Sequence, residues 1–197
     1  MKALRQIIVL HFATVILFAL AYPLLIWALG QAAFSRQSEG LPITENGKIV
    51  GLENVGQKFT SPKYFWGRPS AVDYNAAATG GSNKGPTNPD YLKTVEERIE
   101  SFLASNPEVK RSDIPADLIT ASGGGLDPHI TPQAAYIQIS RIAQERNIDE
   151  AKLKVLVEQN IEKPLLGLFG PLARVNVLKL NLSLDNLDNS LNRETGE

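Results

Sequence analysis

Asp117-Leu-Ile-Thr-Ala-Ser-Gly-Gly-Gly-Leu-Asp-Pro-His-Ile-Thr-Pro-Gln-Ala-Ala135 is the stretch on which the fold turns. A short apolar run, Leu118-Ile119, breaks at Gly123, Gly124 and Gly125. Asp127-Pro128 stiffens the exit, and Thr131-Pro132 opens a helix. Threonine is a good N-cap, and proline at the first helical position gives up only an N–H that would be unpaired anyway. The stretch therefore reads as strand, glycine turn and helix start. Three successive glycines predict positive φ angles or close approach by another backbone.

Upstream, Asn88-Pro89 starts a helix whose Leu92, Val95, Ile99 and Phe102 form one apolar stripe, with Glu96, Glu97 and Arg98 on a solvated face. Asn106-Pro107 ends it. Asn46-Gly47 between two short apolar runs predicts a hairpin. Tyr64-Phe65-Trp66-Gly67-Arg68-Pro69-Ser70 is dense in aromatic residues and reads as the edge of a core, with Arg68 as a buried charge partner or a cation–π donor. Thr79 to Pro89 is rich in Gly, Asn and Pro, but Lys84 precedes Gly85 and no Gly-Lys-Ser/Thr follows a strand, so it reads as an ordered loop and not a phosphate cradle.

Downstream, Ala135, Ile139 and Ile142 continue the helix opened at Thr131, and Asn147 closes it. Asp149 caps a further helix carrying Leu153, Leu156 and Val157, broken by Pro164 and Gly167. Arg174 to Leu184 alternates, with Leu178, Leu180, Leu182 and Leu184 on one side and Lys179, Asn181 and Ser183 on the other. That pattern predicts a half-buried strand. The fold class expected is α+β with a largely antiparallel sheet.

The N-terminus is different in kind. No charged residue lies between Gln6 and Ser35. As a helix, Ile7 to Ala33 would be roughly 40 Å long, enough for a hydrocarbon core of about 30 Å and longer than a signal-peptide core. Pro23 is expected to kink it, with Tyr22 and Trp27 as interface anchors or a packing face. His11 within an apolar run marks the inner headgroup level or a hydrogen bond to a partner helix. Lys2 and Arg5 before the helix, against Arg36 after it, place the N-terminus inside. The expected organisation is a transmembrane anchor over 1–35, an extracytoplasmic domain over 36–184 and a frayed polar tail over 185–197.

Composition bounds the chemistry. With 20 basic and 21 acidic residues the chain has a net charge of −1, so no field draws nucleic acid. Cysteine is absent, which removes disulfides, thiol nucleophiles and thiolate metal sites. His11 and His129 lie too far apart for a histidine metal site within one chain. Ser122, Asp127 and His129 are the residue types of a hydrolase triad, but Thr120 stands where the Gly-x-Ser-x-Gly elbow needs glycine. Neither a Walker A sequence nor an Asp-Lys-Thr-Gly-Thr aspartyl-phosphate sequence occurs.

Five blocks together resemble the C subunit (KdpC) family of the Kdp potassium-transporting ATPase. They are the N-terminal apolar helix; Tyr64 to Ala71; Gly80-Gly81-Ser82-Asn83 with Gly85 to Pro89; Ser122 to Pro132; and Arg174-Val175-Asn176-Val177-Leu178 with Leu180-Asn181-Leu182. Gly124 stands where many members have Ser, and Gly170-Pro171-Leu172-Ala173 replaces the usual Gly-Glu-Pro. The resemblance implies a non-catalytic accessory subunit of a high-affinity potassium pump in the bacterial inner membrane. It implies three partners: a channel-like potassium-binding subunit, a P-type ATPase subunit and a small single-helix subunit. It implies a role in assembly, described for the family as a catalytic chaperone raising the ATP affinity of the ATPase subunit. ATP and potassium would be handled by the complex, with no cofactor held by this chain. Candidate membrane residues are Ile7, His11, Tyr22, Pro23 and Trp27. Candidate interface or motif residues are Tyr64, Phe65, Arg68, Pro69, Ser122, Gly123, Gly125, Asp127, His129 and Asn176. The competing expectation is a membrane-anchored extracytoplasmic serine hydrolase using Ser122 and His129.

Overall fold

The computed structural model describes residues 1–164, 167, 170 and 172–195; Pro171, at one of the departures from the family pattern, lies outside them. The chain divides into two compact units, 1–52 and 53–197.

In the first unit, α1 (Lys2–Val15) and α2 (Tyr22–Ala33) are joined through a π-helical segment, Ile16–Ala21, in which Tyr22 N donates to Leu17 O. Lys2–Ala33 is long and apolar enough to cross a membrane, and none of its hydrophobic window is buried. Pro23 lies within this one helical span, Lys2–Ala33, directly after the π-helical segment. The widened turn before it makes room for the ring, which would clash with the carbonyl four residues back. A single turn, α3 (Ser35–Ser38), leads to β1 (Pro42–Glu45) and β2 (Lys48–Leu52), an antiparallel hairpin. Asn46 and Gly47 have φ of 48° and 76°, the doubly left-handed turn that an Asn-Gly pair favours.

The second unit contains α4 (Pro89–Ser105), two 3₁₀ turns (Arg111–Asp113 and Ala116–Leu118), β3 (His129–Ile130), α5 (Pro132–Tyr136), α6 (Ile139–Arg146), α7 (Glu150–Gln159), β4 (Ile161–Glu162), β5 (Arg174–Asn176) and α8 (Val177–Thr195). The expected caps are in place: Asn88 accepts from Tyr91 N, Thr131 from Ala134 N and Asp149 from Ala151 N. The strands order β3-β5-β4, every pair antiparallel, so the α+β expectation holds with short strands and much helix. Phe65, Ile142, Leu153, Val157, Val175, Leu180 and Leu184 are fully buried at the centre.

Five local expectations change. The run at Leu118-Ile119 is not a strand: Ala116–Leu118 is a 3₁₀ turn, and Asp117 Oδ2 accepts from Thr131 N at 2.6 Å, tying the start of the stretch to its end. The helix after Thr131 is two helices, interrupted at Ile137-Gln138. Arg174–Leu184 is strand only to Asn176, then helix, because Val177, Leu180, Leu184, Leu187 and Leu191 form a continuous seam facing the core. Residues 185–195 of the expected tail are the second half of α8. On α4, Ile99 and Phe102 are buried while Leu92, in the first turn, is exposed.

Candidate functional site

The glycine loop is held by backbone on two sides. Ser122 N donates to Pro69 O at 3.2 Å, Gly80 N to Gly124 O at 3.1 Å, and Gly56 N to Leu126 O at 2.7 Å. Of the three glycines only Gly125 has a positive φ, 72°, and a Cβ there would sit 2.5 Å from Val72 Cγ2. A Cβ on Gly123 or Gly124 would meet nothing within 4 Å; the close approach involving Gly123 is made by Gly81, whose Cβ would lie 2.8 Å from Gly123 O. The blocks Tyr64–Ala71, Gly80-Gly81 and Ser122–Pro132, distant in sequence, thus form one interlocked piece.

The sheet register builds the polar part. His129 pairs with Asn176 and Glu162 with Arg174, so these four share one face, while Ile130, Val175 and Ile161 share the other. On the polar face runs a line of charge. Arg68 Nη1 lies 3.0 Å from Asp127 Oδ2, and Asp127 Oδ1 receives His129 N at 3.0 Å and faces His129 Nδ1 at 3.3 Å. His129 Nε2 lies 3.6 Å from Glu162 Oε2. Glu162 also meets Arg174 Nε at 3.0 Å and Lys179 Nζ at 3.4 Å, and Lys179 reaches Glu53 Oε1 at 2.5 Å. Burial alone would raise the Asp127 carboxyl, but the bonds from His129 and Arg68 hold it at about 2. Glu162 is likewise held below its ordinary value: partial burial opposes this, and Arg174, Lys179 and His129 override it. Burial would lower Lys179, yet Glu53 and Glu162 raise it.

Asn176 joins this line to the helix. Its Nδ2 donates to Glu53 O at 2.7 Å, and its Oδ1 accepts from Lys179 N at 3.1 Å, capping α8. Two further buried amides hold the aromatic segment. Asn181 accepts from Phe65 N at 2.9 Å and donates to Phe65 O at 3.0 Å. Gln138 accepts from Trp66 N at 2.8 Å and donates to Trp66 O at 3.2 Å and Ala134 O at 2.9 Å. The cation–π partners are not Arg68 but Arg141, 4.2 Å from the Trp66 ring, and Arg146, 4.7 Å from that of Tyr64. Burial pulls Arg141 down to about 10; its guanidinium donates to Pro62 O, Tyr64 O, Asn106 Oδ1 and Gln138 Oε1. Arg146 is bracketed by Asp185 at 2.7 Å and Asp188 at 3.0 Å. Sequence reasoning missed Gln138, Arg141 and Arg146; the available signal was a polar residue on an otherwise apolar face.

All ten candidate motif residues fall in the second unit. Arg68, Asp127, His129 and Asn176 belong to the charged line; Pro69, Ser122, Gly123 and Gly125 belong to the loop clamp. Phe65 is core, and Tyr64 donates to Asp185 at 3.2 Å. The triad is not assembled. Ser122 is buried, no hydrogen bond joins it to His129 among the described residues, and both ring nitrogens of His129 face carboxylates. Lys84 in the Gly/Asn/Pro loop lies 3.8 Å from Asp90. Among the described residues no group of three or more His, Asp or Glu could hold a metal. In the first unit, Ile7, Tyr22 and Trp27 are exposed on the apolar helix, His11 packs edge-on to Phe12 at 5.9 Å, and the His11 carbonyl accepts from Thr14 Oγ1 at 2.8 Å.

Comparison with known proteins covers almost the same span. The family described as KdpC, K⁺-transporting ATPase, c chain, matches residues 4–186. The potassium-transporting ATPase KdpC subunit of Flavobacterium johnsoniae is 54% identical over 187 residues, 95% of this chain and 100% of the relative. That of Bacteroides fragilis is 48% identical over 191 residues, 96% and 100% of the two chains. That of Caldanaerobacter subterraneus is 52% identical over 169 residues, 86% and 87%.

Proposed function

The chain belongs to the KdpC family of K⁺-transporting ATPase subunits, and from that premise we propose how its two parts serve the pump. It is an accessory, membrane-anchored subunit in potassium uptake. Its apolar helix crosses the bacterial inner membrane with the N-terminus in the cytoplasm, since Lys2 and Arg5 outweigh Arg36. The domain from residue 36 onward then stands outside. The helix packs on the channel-like potassium-binding subunit, and the domain sits over that subunit's outer mouth. A P-type ATPase subunit hydrolyses ATP, and a small single-helix subunit completes the complex. The chain itself is non-catalytic and binds no nucleotide. Any gain in ATP affinity of the ATPase subunit comes through stabilising the assembly.

The observation that carries this reading is that the carboxylates, the histidine, the lysine and the asparagine of the polar site are paired with one another or with backbone. Asp127, His129, Glu162, Lys179 and Asn176 all spend their polar atoms on protein partners, which favours a scaffold over a reaction centre. Affinity purification in mild detergent from native membranes is expected to bring down a large multi-span subunit and a P-type ATPase. Recovery of this chain alone, stable and monodisperse, overturns the reading. A protease added outside intact cells is expected to cut the domain, and full protection overturns the orientation.

A further inference from the structure

Beside the loop clamp the second unit has a cavity of about 430 Å³ whose lining includes Lys58, Arg68 and Arg98 but a single carboxylate, Asp73. The chemistry of its wall suits an anionic ligand. Arg68, whose Nη1 is paired with Asp127 at 3.0 Å, has its Nε buried without a protein acceptor, the one such side-chain atom among the described residues. Arg98 is in no ion pair among the described residues; its Nη1 donates to Ile119 O at 3.0 Å, which uses one of its five N–H donors. Asp73 and Tyr74 are consecutive non-glycine residues with φ of 50° and 59°. Such strain persists where the surroundings over-determine it. Here Ser70 Oγ accepts from Val72 N and Tyr74 N, and Tyr74 Oη donates to Arg68 O. The strained turn delivers Asp73 Oδ1 to Lys58 Nζ at 2.6 Å.

We infer that this cavity binds an oxyanion of the phosphate class on Arg68, Arg98 and Lys58, and that Asp73 is an internal carboxylate the ligand displaces from Lys58. The guanidinium fork suits a phosphate, and a phosphate carries enough charge to exchange for one carboxylate. The same chemistry is offered by free phosphate and by a phospholipid headgroup.

Trp66 lines the cavity and is one of two tryptophans, so a Trp27→Phe background makes its emission a local reporter. The full chain, solubilised in a maltoside detergent, is titrated with inorganic phosphate and separately with dihexanoyl phosphatidic acid, at constant ionic strength set with sodium chloride. A saturable change with phosphate is expected, about tenfold or more weaker in Arg98→Gln and several-fold tighter in Asp73→Asn. Saturation with the lipid but not with phosphate assigns the ligand as a headgroup. No saturable change with either, or no tightening in Asp73→Asn, overturns the inference. Lys58→Gln, at an exposed position, repeats the loss without touching the fold. The measurement needs no partner subunit, so its failure leaves the assembly reading standing.

Discussion

Asn181 and Gln138 each spend a buried amide on the N–H and carbonyl of one residue, Phe65 and Trp66 respectively. Leucine at 181 would strand both groups of Phe65 away from water. We expect Asn181→Leu to cost about 2–4 kcal/mol, read as a fall in the urea midpoint. Gly125→Ala should cost more than about 1 kcal/mol, because its φ is positive and Val72 blocks the Cβ, while Gly123→Ala should be near neutral; thermal unfolding of the pair distinguishes them. Asp127 titrates at about 2 in the fold against an ordinary 3.8. A lowered carboxyl stabilises the fold above its unfolded value and loses that contribution as pH falls toward its folded one. The stability gap between the native chain and Asp127→Asn should therefore close between about pH 4 and about pH 2. A gap independent of pH in denaturant titrations would refute this. At this scale the sequence disclosed which residues matter better than what they do. Asp127 and His129 were legible as a pair, but nothing local told that His129 would face a second carboxylate from β4 and not a serine.

Helix α8 shows why element type was harder to read. Leucine at 178, 180, 182 and 184 satisfies a period of two, while 177, 180, 184, 187 and 191 satisfy steps of three and four. Both patterns share Leu180 and Leu184, the two leucines among those of the alternating run that are fully buried, so alternation alone could not arbitrate. The deciding signals were Asn176 as a cap and the seam continuing past Leu184 into residues that look polar. Asp185 and Asp188 are polar because they serve Arg146, whose side chain is only 7% exposed. Ending the chain before Asp185 should leave that guanidinium buried without its counter-charges and destabilise the domain by about 3–5 kcal/mol, measured by denaturant unfolding of the full and shortened chains. The caps at Asn88, Thr131 and Asp149 and the Asn46-Gly47 hairpin were all legible, because each rests on chemistry within four residues.

For the whole molecule the 20 basic and 21 acidic residues nearly cancel, which leaves no strong net field. Most of the exposed large hydrophobic side chains among the described residues lie on the N-terminal helix. Association through such a surface strengthens or holds as salt rises, whereas charge-driven association is screened. Co-purification with the pump is therefore expected to survive a wash from about 0.1 M to about 0.5 M sodium chloride, scored by the ratio of subunits retained. Loss of the partners at the higher salt would reassign the contact to charged groups. The passage from β5 into α8 has a mechanical consequence. Asn176 is at once the last residue of the strand, opposite His129, and the cap of the helix, so there is no slack joint between them. A partner that pulls on the C-terminal helix pulls on the histidine and, through Asp127, on the glycine loop: the domain can pass a tug from one end to the other without any part of it having to unfold.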